Sequence, residues 1–388
     1  MQDNKKKSML FLIGSLDSGG VSKSMVSLLN TIDRKKHDVF LWIGNPSGLF
    51  YELLPKDIHQ LSDKRITLLL KGVNGLSQLL RHGYLLLFLG SLLRLVVSAF
   101  NKAYAGWLLA KLMPNICKGK EFDLIVDYNG QQQLYYMVDK LKGKKKITFF
   151  HSDYEKWPYY YRMDKKYFPK VDTIFSISKL CVESLKKCFP DQKGKIQLME
   201  NISSVDLINK LADEFEVHFD EGYSILSLGH ICKNKGTDLA IETMCILREK
   251  NIKFKWYFIG AIQEDFSSLI AKYSLKPNIE FLGVKVNPYP YIKACDIFAH
   301  LSRYEGKSMA LDEAKILCKP IVVTNFSTVK DQFEDRVNAL ITPFSPDDIA
   351  LNIQLLLNDE ILRKYLIKNL KSKISDNSNE INKLYSFL

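Results

Sequence analysis

The sequence predicts an α/β protein of two domains, each with a parallel β-sheet covered by helices. Short apolar runs, which suit buried parallel strands, alternate along the chain with longer segments whose apolar residues recur at helical spacing. The chain has 388 residues, more than one hydrophobic core usually holds, so two domains of about 150–200 residues are expected. Its 46% of hydrophobic and 25% of charged residues are typical of a globular protein.

The first half of the chain contains six predicted strands, at residues 8–13, 37–44, 122–126, 146–150, 171–177 and 195–199. The first strand leads into a glycine-rich turn, 14–20, and then into a helix, 21–31. A strand, a glycine-rich loop and a helix N-terminus together favour an anion or another ligand, although a plain turn has the same pattern.

Polar residues directly follow two of these strands. Asp127 and Asn129 come after the strand that ends at Val126, and His151 comes after the strand that ends at Phe150. Because ligands of parallel sheets bind at the carboxyl ends of the strands, these side chains are candidate site residues.

A polar linker at 201–206 precedes the second half of the chain. The strands predicted there are 223–228, 255–260, 279–282, 296–301 and 320–324, and the helices are 237–249, 308–317, 346–358 and 360–371.

The loop at 302–308 is the stretch with the most chemical information. It joins a buried strand to a helix whose N-terminus offers unpaired N–H groups and a partial positive charge, which suit a diphosphate. Gly306 allows close approach of the backbone to a ligand, and Ser308 is the predicted N-cap. Glu305 and Glu313 flank this helix start, and carboxylates accept hydrogen bonds from sugar hydroxyls.

Glu305 and Glu313 also match the Glu-x7-Glu motif of family 4 glycosyltransferases, which have the GT-B fold. The similarity continues on both sides of the motif and is strong over 225–342. The sequences at 287–293 and 304–308 resemble those of bacterial enzymes that build capsular or other surface polysaccharides.

This resemblance implies two Rossmann-like α/β/α domains that face each other across a cleft. The N-terminal acceptor-binding domain would span 1–204, and the C-terminal donor-binding domain would span 205–372. A helix at 373–388 would cross back and complete the N-terminal domain.

The resemblance also assigns roles to individual residues. The catalytic residues are expected at His151, Lys235 and Glu305, with Lys235 neutralising the donor diphosphate and Glu305 holding sugar hydroxyls. The donor-binding residues are expected at Gly19, Gly20, His230, Lys233, Gly283, Gly306, Lys307, Ser308, Met309 and Glu313. The acceptor side is expected to include Asp127 and Asn129.

One of these positions departs from the family pattern. His230 stands where the family has an arginine, and a neutral imidazole cannot make the bidentate phosphate contact of a guanidinium. Lys233 is the candidate substitute for that arginine.

The implied activity is that of a retaining hexosyltransferase. It would move a sugar from a nucleotide diphosphate sugar, with UDP preferred, to a hydroxyl of a lipid-linked (polyprenyl diphosphate) glycan during surface polysaccharide biosynthesis. The chain contains no Asp-x-Asp motif, so neither a metal ion nor another cofactor is expected. Two alternatives stay open, namely a nucleotide-sugar 2-epimerase of the same fold and a non-catalytic scaffold subunit of a polysaccharide assembly complex.

The net charge of +12 favours an anionic partner, such as a membrane surface, or phosphorylated substrates. No nucleic-acid-binding signature is present. From Lys64 to Lys120 the chain has nine Lys and Arg residues, many apolar residues and no acidic residue. This segment has two interpretations, a surface that lies on an anionic membrane or a pair of amphipathic helices that cover the sheet. Its uncharged stretches are too short to span a bilayer.

The seven cysteines include no Cys-x-x-Cys pair and are expected to be thiols of a reducing cytoplasm. The apolar run 9–13 is too short for a signal peptide and is interpreted as the first strand. The expected location is therefore cytoplasmic, peripheral on the inner face of the bacterial membrane.

Overall fold

The computed structural model describes residues 6–388, apart from residues 18, 221 and 375. The chain forms two compact units, Met1–Ile202 together with Ser378–Leu388, and Ser203–Asn377. Residues 1–5, at the start of the predicted first domain, lie outside the described part. The second unit begins at Ser203, whereas the sequence pattern places its start at residue 205.

Within the described residues, the first unit has a seven-stranded parallel sheet with the order β3-β2-β1-β4-β5-β6-β7. Its strands are β1 (Lys7–Ser15), β2 (His37–Asn45), β3 (His59–Leu61), β4 (Glu121–Asp127), β5 (Lys142–Phe150), β6 (Thr173–Ser176) and β7 (Ile196–Leu198). Its helices up to residue 188 are α1 (Gly20–Thr31), α2 (Lys64–Leu70), α3 (Val73–Arg81), α4 (Leu85–Phe100), α5 (Lys102–Leu112), α6 (Gln132–Lys140), α7 (Tyr161–Tyr167) and α8 (Lys179–Cys188).

The central strand β1 shows why this sheet is covered on both faces. Its apolar residues from Met9 to Ile13 are at most 1% exposed. Because side chains alternate between the two faces of a strand, Leu10 and Leu12 belong to one core, and Met9, Phe11 and Ile13 belong to the other. A continuous apolar run is therefore the signature of a strand buried between two helical layers.

The second unit has a six-stranded parallel sheet, also within the described residues, with the order β10-β9-β8-β11-β12-β13. Its strands are β8 (Tyr223–Leu228), β9 (Phe254–Ile259), β10 (Ile279–Gly283), β11 (Ile297–His300), β12 (Ile321–Thr324) and β13 (Leu340–Thr342). Its helices are α9 (Val205–Ala212), α10 (Thr237–Glu249), α11 (Ser267–Lys272), α12 (Tyr289–Ala294), α13 (Met309–Ile316), α14 (Pro346–Asn358) and α15 (Glu360–Ser372). Alternate residues of β12 again belong to two different cores, which gives this unit the same three-layer arrangement.

The segment from Lys64 to Lys120 differs from the prediction of two amphipathic helices. It forms four helices, α2 to α5, because glycines interrupt the helical pattern. Gly72 and Gly83 adopt positive φ angles of 59° and 74° between consecutive helices, a conformation that glycine adopts without strain. Asn101 ends α4 and caps α5 by accepting a hydrogen bond from the backbone N–H of Tyr104.

The C-terminal segment returns to the first unit but is not one helix over 373–388, as the sequence predicts. It contains a 3-10 turn, Ser378–Ile381, followed by the short helix α16 (Asn382–Tyr385). Ile381 and Leu384 are buried in the core that contains Met9 and Phe11. The polar residues before Ser378 end the helical pattern, so only this short apolar part packs on the unit.

Within the part of the chain that the structure describes, no helix combines the length and the apolar character that crossing a bilayer requires.

Candidate active site

In each sheet the strand order reverses next to the strand that opens the unit. β1 lies between β2 and β4, and β8 lies between β9 and β11. The connections on the two sides of such a position leave in opposite directions, which opens a crevice at the carboxyl ends of the strands. The loops that follow β8 and β11 carry Lys235 and Glu305, so these residues meet at the reversal point of the second sheet.

Glu305 receives three hydrogen bonds on a single carboxylate oxygen. Lys235 Nζ lies 2.6 Å from Oε1, and Ser302 Oγ and His300 Nε2 each lie 2.8 Å from it. Because an ionised carboxylate can only accept hydrogen bonds, Nε2 of His300 carries the proton. No group of the described residues donates to the other oxygen, Oε2. The predicted catalytic pair therefore forms a cluster that retains an acceptor atom for a ligand.

The cluster keeps Glu305 ionised. Only 12% of its side chain is exposed. This burial by itself would raise the pKa of Glu305, but the hydrogen bond from His300 and the positive charge of Lys235 outweigh it and lower the pKa to about 2. Glu305 is thus a permanent hydrogen-bond acceptor at neutral pH, as a group that holds sugar hydroxyls must be.

The N-terminus of α13 is fixed beside this cluster. Ser308 is its N-cap, as predicted, and its Oγ accepts a hydrogen bond from the N–H of Leu311 and lies 3.2 Å from His300 Nε2. Gln332 accepts from the backbone N–H of Ser308 at 3.0 Å and donates to its carbonyl oxygen at 2.9 Å. The positive end of the helix dipole therefore lies next to Lys235 and Glu305, where it favours an anion.

An arginine joins the two loops of the site. The guanidinium of Arg303 donates to both carboxylate oxygens of Asp238, at 2.7 and 2.9 Å, and also to the carbonyl oxygen of Lys233. The backbone N–H of Arg303 donates to the carbonyl oxygen of Asn234 at 2.8 Å. A bidentate contact of this kind fixes orientation as well as distance, so it holds Lys235 opposite Glu305.

Gly236 makes the close approach of these loops possible. Its φ angle is +74°, and a Cβ atom added there would lie 2.1 Å from the backbone oxygen of Leu301. Only glycine satisfies both conditions, and for that reason Lys-Gly is the local sequence that brings Lys235 to the end of β11.

Three further donor-site candidates lie at the same edge of the second sheet. His230 is half-buried, and burial, followed by the charge of Lys235, lowers its pKa, so its imidazole is neutral at neutral pH. Lys233 is exposed, and Gly283, the last residue of β10, is exposed with a φ angle of +71°.

The remaining candidates lie on or before α13 and are more buried than the motif alone indicates. The side chain of Lys307 is 8% exposed and its Nζ lies 3.7 Å from Asp312. Glu313 is 1% exposed and accepts a hydrogen bond from the hydroxyl of Tyr289 at 3.2 Å. Met309 is 6% exposed, and Gly306 is partly exposed.

In the first unit, His151 follows β5 and is held between aromatic rings. Its ring centroid lies 4.7 Å from that of Tyr128 and 5.7 Å from that of Phe149. Neither ring nitrogen has a hydrogen-bond partner among the described residues, and neither is accessible to solvent. This burial lowers the pKa of His151 to about 4, so the imidazole is neutral and keeps one donor and one acceptor without a partner.

Asp127 holds the loop after β4. It is fully buried and accepts hydrogen bonds from the backbone N–H groups of Asn129 and Gly130 and from the hydroxyl of Thr148 at 2.6 Å. Burial raises its pKa to about 7 against the effect of these hydrogen bonds. The buried Asp127 side chain fixes the loop through these hydrogen bonds and does not face solvent, whereas the side chain of Asn129 is exposed at the strand end.

Gly19 and Gly20 are exposed at the start of α1. Gly19 has a φ angle of +97° and its carbonyl oxygen accepts from the N–H of Lys23. The two glycines therefore form an open helix start after β1, in the first unit with His151, whereas Lys235 and Glu305 belong to the second unit.

Sequence reasoning missed three residues of the site, His300 and Ser302 in the Glu305 cluster and Arg303 between the two loops. His300 ends an apolar strand and therefore resembles an ordinary strand-end residue. The available signal was the polar pair His300 and Ser302 immediately before a motif glutamate.

Residues 210–373 match the family model described as glycosyl transferases group 1. Over these residues the chain is similar to this family. The match covers most of the second unit, which contains the Lys235 and Glu305 cluster.

Two curated relatives from Campylobacter jejuni illustrate the sequence similarity. One is N-acetylgalactosamine-N,N'-diacetylbacillosaminyl-diphospho-undecaprenol 4-alpha-N-acetylgalactosaminyltransferase, 27% identical over 199 residues, which are 51% of this chain and 54% of that protein. The other is an alpha-1,4-N-acetyl-D-galactosaminyltransferase named for its acceptor GalNAc-alpha-(1->4)-GalNAc-alpha-(1->3)-diNAcBac-PP-undecaprenol. It is 21% identical over 94% of this chain and 93% of its own length. With the first of these relatives, the chain matches about half of the relative's length.

The fold is also that of solved glycosyltransferase structures. The crystal structure of Anabaena HepE in complex with UDP-glucose superposes with a TM-score of 0.70 at 13% sequence identity, over 98% of this chain and 100% of that one. A mutant of S. aureus TarM, in complex with fondaparinux, alpha-GlcNAc-glycerol and UDP, superposes with a TM-score of 0.69 at 12% identity, over 98% and 99% of the two chains. The predicted GT-B fold class is confirmed.

Proposed function

We propose that this chain is a retaining hexosyltransferase of family 4 that moves a sugar from a UDP-sugar to a hydroxyl of a polyprenyl-diphosphate-linked glycan, without a metal ion or another cofactor. The observation that carries the proposal is the cluster of Lys235, His300 and Glu305 beside the N-terminus of α13. A lysine and a helix N-terminus suit a leaving diphosphate, and an ionised carboxylate suits sugar hydroxyls.

On the donor side, Lys235 stabilises the negative charge that develops on the leaving UDP. The crevice that Lys235 lines with Gly229, His230 and His300 measures only about 20 Å³. A diphosphate fits there only if Glu305 moves away, and it then replaces Glu305 as the partner of Lys235. The positive end of the α13 dipole and exposed Lys233 supply further positive charge, which compensates for the neutral imidazole of His230.

On the acceptor side, neutral His151 is assigned to the transferred sugar, and its ring nitrogens, which are covered in this structure, must become accessible for that contact. The acceptor oxygen forms a bond to the anomeric carbon on the face from which UDP leaves. The bond from that carbon to the phosphate oxygen breaks, and the phosphate takes the proton of the acceptor hydroxyl. The glycosidic bond then keeps the anomeric configuration of the donor.

The proposed acceptor class rests on the names of the relatives. Both Campylobacter proteins are named for glycans linked to undecaprenol through a diphosphate. A lipid-linked acceptor requires the chain to work as a cytoplasmic, peripheral protein on the inner face of the bacterial membrane, in surface polysaccharide synthesis.

The first test is thermal unfolding of the full chain with UDP-, GDP-, ADP- and dTDP-sugars in the presence of a chelator. A ligand at 100 times its dissociation constant stabilises a protein by about 2.7 kcal/mol. We expect UDP-sugars alone to raise the midpoint of unfolding. No shift with any nucleotide sugar, with or without added Mg²⁺, overturns the donor site and favours a non-catalytic scaffold.

The second test is transfer to polyprenyl-diphosphate-linked saccharides, with Glu305→Gln and Lys235→Ala as variants. Each should lower kcat by about 10²–10³, the effect of removing one group that stabilises developing charge. The matched control is the exposed ion pair of Glu334 and Lys373, 3.1 Å apart in the same unit, whose equivalent variants should keep full activity. A product with an altered donor sugar and no acceptor attached would instead identify an epimerase.

A further inference from the structure

Helix α4 exposes an apolar face to solvent. Of its 16 residues, only Ser91 is buried. Its exposed apolar side chains, between 39% and 86% exposed, are Leu85, Leu86, Leu89, Leu92, Leu93, Val96 and Phe100. Their spacing of three, four and seven residues places them on one side of the helix. Contiguous exposed apolar surface of this kind marks an interaction site.

The single charge of α4 lies on the opposite side. Arg94 is partly buried, and burial is the main cause that lowers its pKa, against the neighbouring Tyr160. On the same inner side, a Cβ atom at Gly90 would lie 2.4 Å from the side chain of Leu112 on α5. The inner side therefore packs on the protein, and the outer face contains no charged residue.

Cations flank this face at both ends. Arg81 precedes α4, Lys102 follows it, and both are exposed. Between Lys64 and Lys120 no acidic residue offsets these charges, and the whole chain carries +12. An apolar helix face with basic residues at its two ends complements a surface that is apolar inside and anionic outside.

Exposed aromatic rings adjoin the same region. Trp157, Tyr159 and Tyr161 are 47%, 50% and 38% exposed, and Lys102 Nζ lies 4.4 Å from the ring centroid of Tyr159. Trp and Tyr are the residues enriched at the level of lipid headgroups, because their rings are apolar while their polar atoms stay in contact with water. This segment continues the loop that begins at His151.

We infer that α4 and the aromatic segment 157–161 form a membrane-contact surface that binds an anionic phospholipid bilayer. Sixteen residues of helix are about 24 Å long, shorter than the hydrocarbon core, so α4 lies in the plane of the interface with its outer face among the acyl chains. The inference rests on the proposed function only for the lipid-linked acceptor. Under that function, the bilayer that contains the lipid-linked acceptor is the partner of the first unit, because the loop after His151 reaches the level of the lipid headgroups.

The test is flotation of the full chain with vesicles of phosphatidylcholine that contain about 30% phosphatidylglycerol. The variant carries Leu86→Ser, Leu93→Ser and Phe100→Ser, at side chains that are 82%, 55% and 86% exposed. The matched control carries Ile361→Ser, Leu351→Ser and Ile262→Ser, at side chains of the second unit that are 83%, 58% and 63% exposed. We expect the α4 variant to bind at least about tenfold more weakly, and the control to bind like the wild type.

A second variant with Arg81→Gln and Lys102→Gln should bind these vesicles more weakly and lose part of the salt dependence of binding. Vesicles of phosphatidylcholine alone should bind the wild type less well than the anionic ones. Equal binding by the α4 variant and the wild type overturns the inference. The inference is also overturned if the wild type does not bind vesicles but forms a dimer that the α4 variant does not form. The apolar face of α4 would then bind a second copy of the chain.

Vesicle binding is measured without sugar donor or acceptor, so its failure is separate from failure of the proposed function. The α4 variant should keep the wild-type thermal shift with UDP-sugars and its activity on acceptor in detergent. Loss of that shift in the α4 variant would show a damaged fold, in which case single Phe100→Ser, at the most exposed of these side chains, decides the question by flotation.

Discussion

At the scale of single residues, the state of Glu305 depends on His300 as much as on Lys235. Lys235 supplies the opposite charge, but the hydrogen bond from His300 is the largest effect that lowers the pKa of Glu305. His300 is 4% exposed and touches both Glu305 and Ser308. It is therefore a positioning residue that joins the carboxylate to the start of α13.

We expect His300→Phe to raise the pKa of Glu305 and to lower kcat/KM by at least about tenfold, because the carboxylate loses its orienting donor. A depressed pKa keeps the ionised form down to acid pH, so raising it moves the acid limb of the pH profile to higher pH. His300→Gln, which can still donate, should restore much of the rate. Profiles of kcat/KM against pH that coincide for the wild type and His300→Phe would contradict this role.

A second prediction at this scale concerns His151 and the stability of the first unit. The pKa of His151 is lowered from 6.5 to about 4, so in this window the unfolded chain binds more protons than the folded one. The folded state is therefore most stable above about pH 6.5 and loses up to about 1.4 kcal/mol per pH unit as the pH falls to about 4. His151→Phe keeps the aromatic packing and removes the titratable imidazole, so the stability of this variant should depend less on pH.

Free energies of unfolding at about pH 7.5 and pH 4.5 measure this difference. The same change at His218, whose side chain is 86% exposed, is the control and should leave the wild-type pH dependence in place. An identical loss of stability in the wild type and His151→Phe would show that His151 is not desolvated.

The sequence predicts part of this site for a clear physical reason. Lys235 and Glu305 belong to local patterns, Lys-Gly and Glu-x7-Glu, whose spacing is visible along the chain. Arg303 acts through Asp238, which is close only after β8 and β11 have paired. His300 acts through Glu305 and Ser308, which reach it only once the loop after β11 has folded back. Long-range pairing of this kind leaves no periodic signal in a single sequence.

At the scale of secondary-structure elements, the N-cap of α13 serves both the helix and the site. Ser308→Ala should lower the free energy of unfolding by about 1 kcal/mol, the usual effect of losing a serine N-cap. It should also lower the transfer rate several-fold, because its Oγ lies 3.2 Å from His300 Nε2. Both effects are measured on one preparation, by denaturant unfolding and by transfer.

Ser345→Ala is the matched control, since Ser345 caps α14 through a bond of the same length, 3.4 Å, in the same unit. It should cost about the same stability and leave transfer unchanged. Equal transfer rates for the two variants would show that Ser308 caps α13 but does not contribute to sugar transfer.

The turn at Gly236 gives another prediction for an element. Gly236 and Gly83 have the same φ angle of +74°, but a Cβ atom meets the backbone of Leu301 at 2.1 Å only at Gly236. Gly83→Ala should cost about 1–2 kcal/mol from backbone strain alone. Gly236→Ala should cost clearly more and should also weaken UDP-sugar binding, because Lys235 is displaced. Similar costs in denaturant unfolding would mean that the loops separate without penalty.

Elements with strong local signals were predicted well. The range of α10 and the N-cap of α8 at Ser178 are as predicted, because helical spacing and capping residues coincide there. The short strands β3 and β13 were missed, although β7, also of three residues, lies within the predicted strand 195–199. Within 64–120, the two helices of the amphipathic interpretation are four in the structure, because Gly72 and Gly83 divide a pattern that continues across them in the sequence.

At the scale of the whole molecule, the two units follow the same plan. Each has a three-layer α/β arrangement, a strand order that reverses beside its first strand, and candidate site residues after the strands at that position. Length and alternating apolar runs were enough to predict two units with helix-covered parallel sheets, but not the order of their strands. The exposed face of α4 was not predictable in that way, because composition does not show which apolar residues the sheet leaves uncovered.

The C-terminal segment Ser378–Leu388 belongs to the first unit and contributes to its core. Leu384 is fully buried, Tyr385 stacks on His37 at 4.6 Å, and Lys383 Nζ donates to the carbonyl oxygen of Leu198. Leu384→Ala should destabilise the first unit by about 2–5 kcal/mol, as loss of a buried leucine side chain does.

Leu370→Ala is the matched variant for the second unit, because Leu370 is equally buried in its core. Hydrogen exchange followed peptide by peptide separates the two effects. Leu384→Ala should speed exchange within 6–202 and leave 203–377 protected, whereas Leu370→Ala should do the reverse. Faster exchange in both units from Leu384→Ala alone would mean that the units unfold together, and that the C-terminal return stabilises the whole chain.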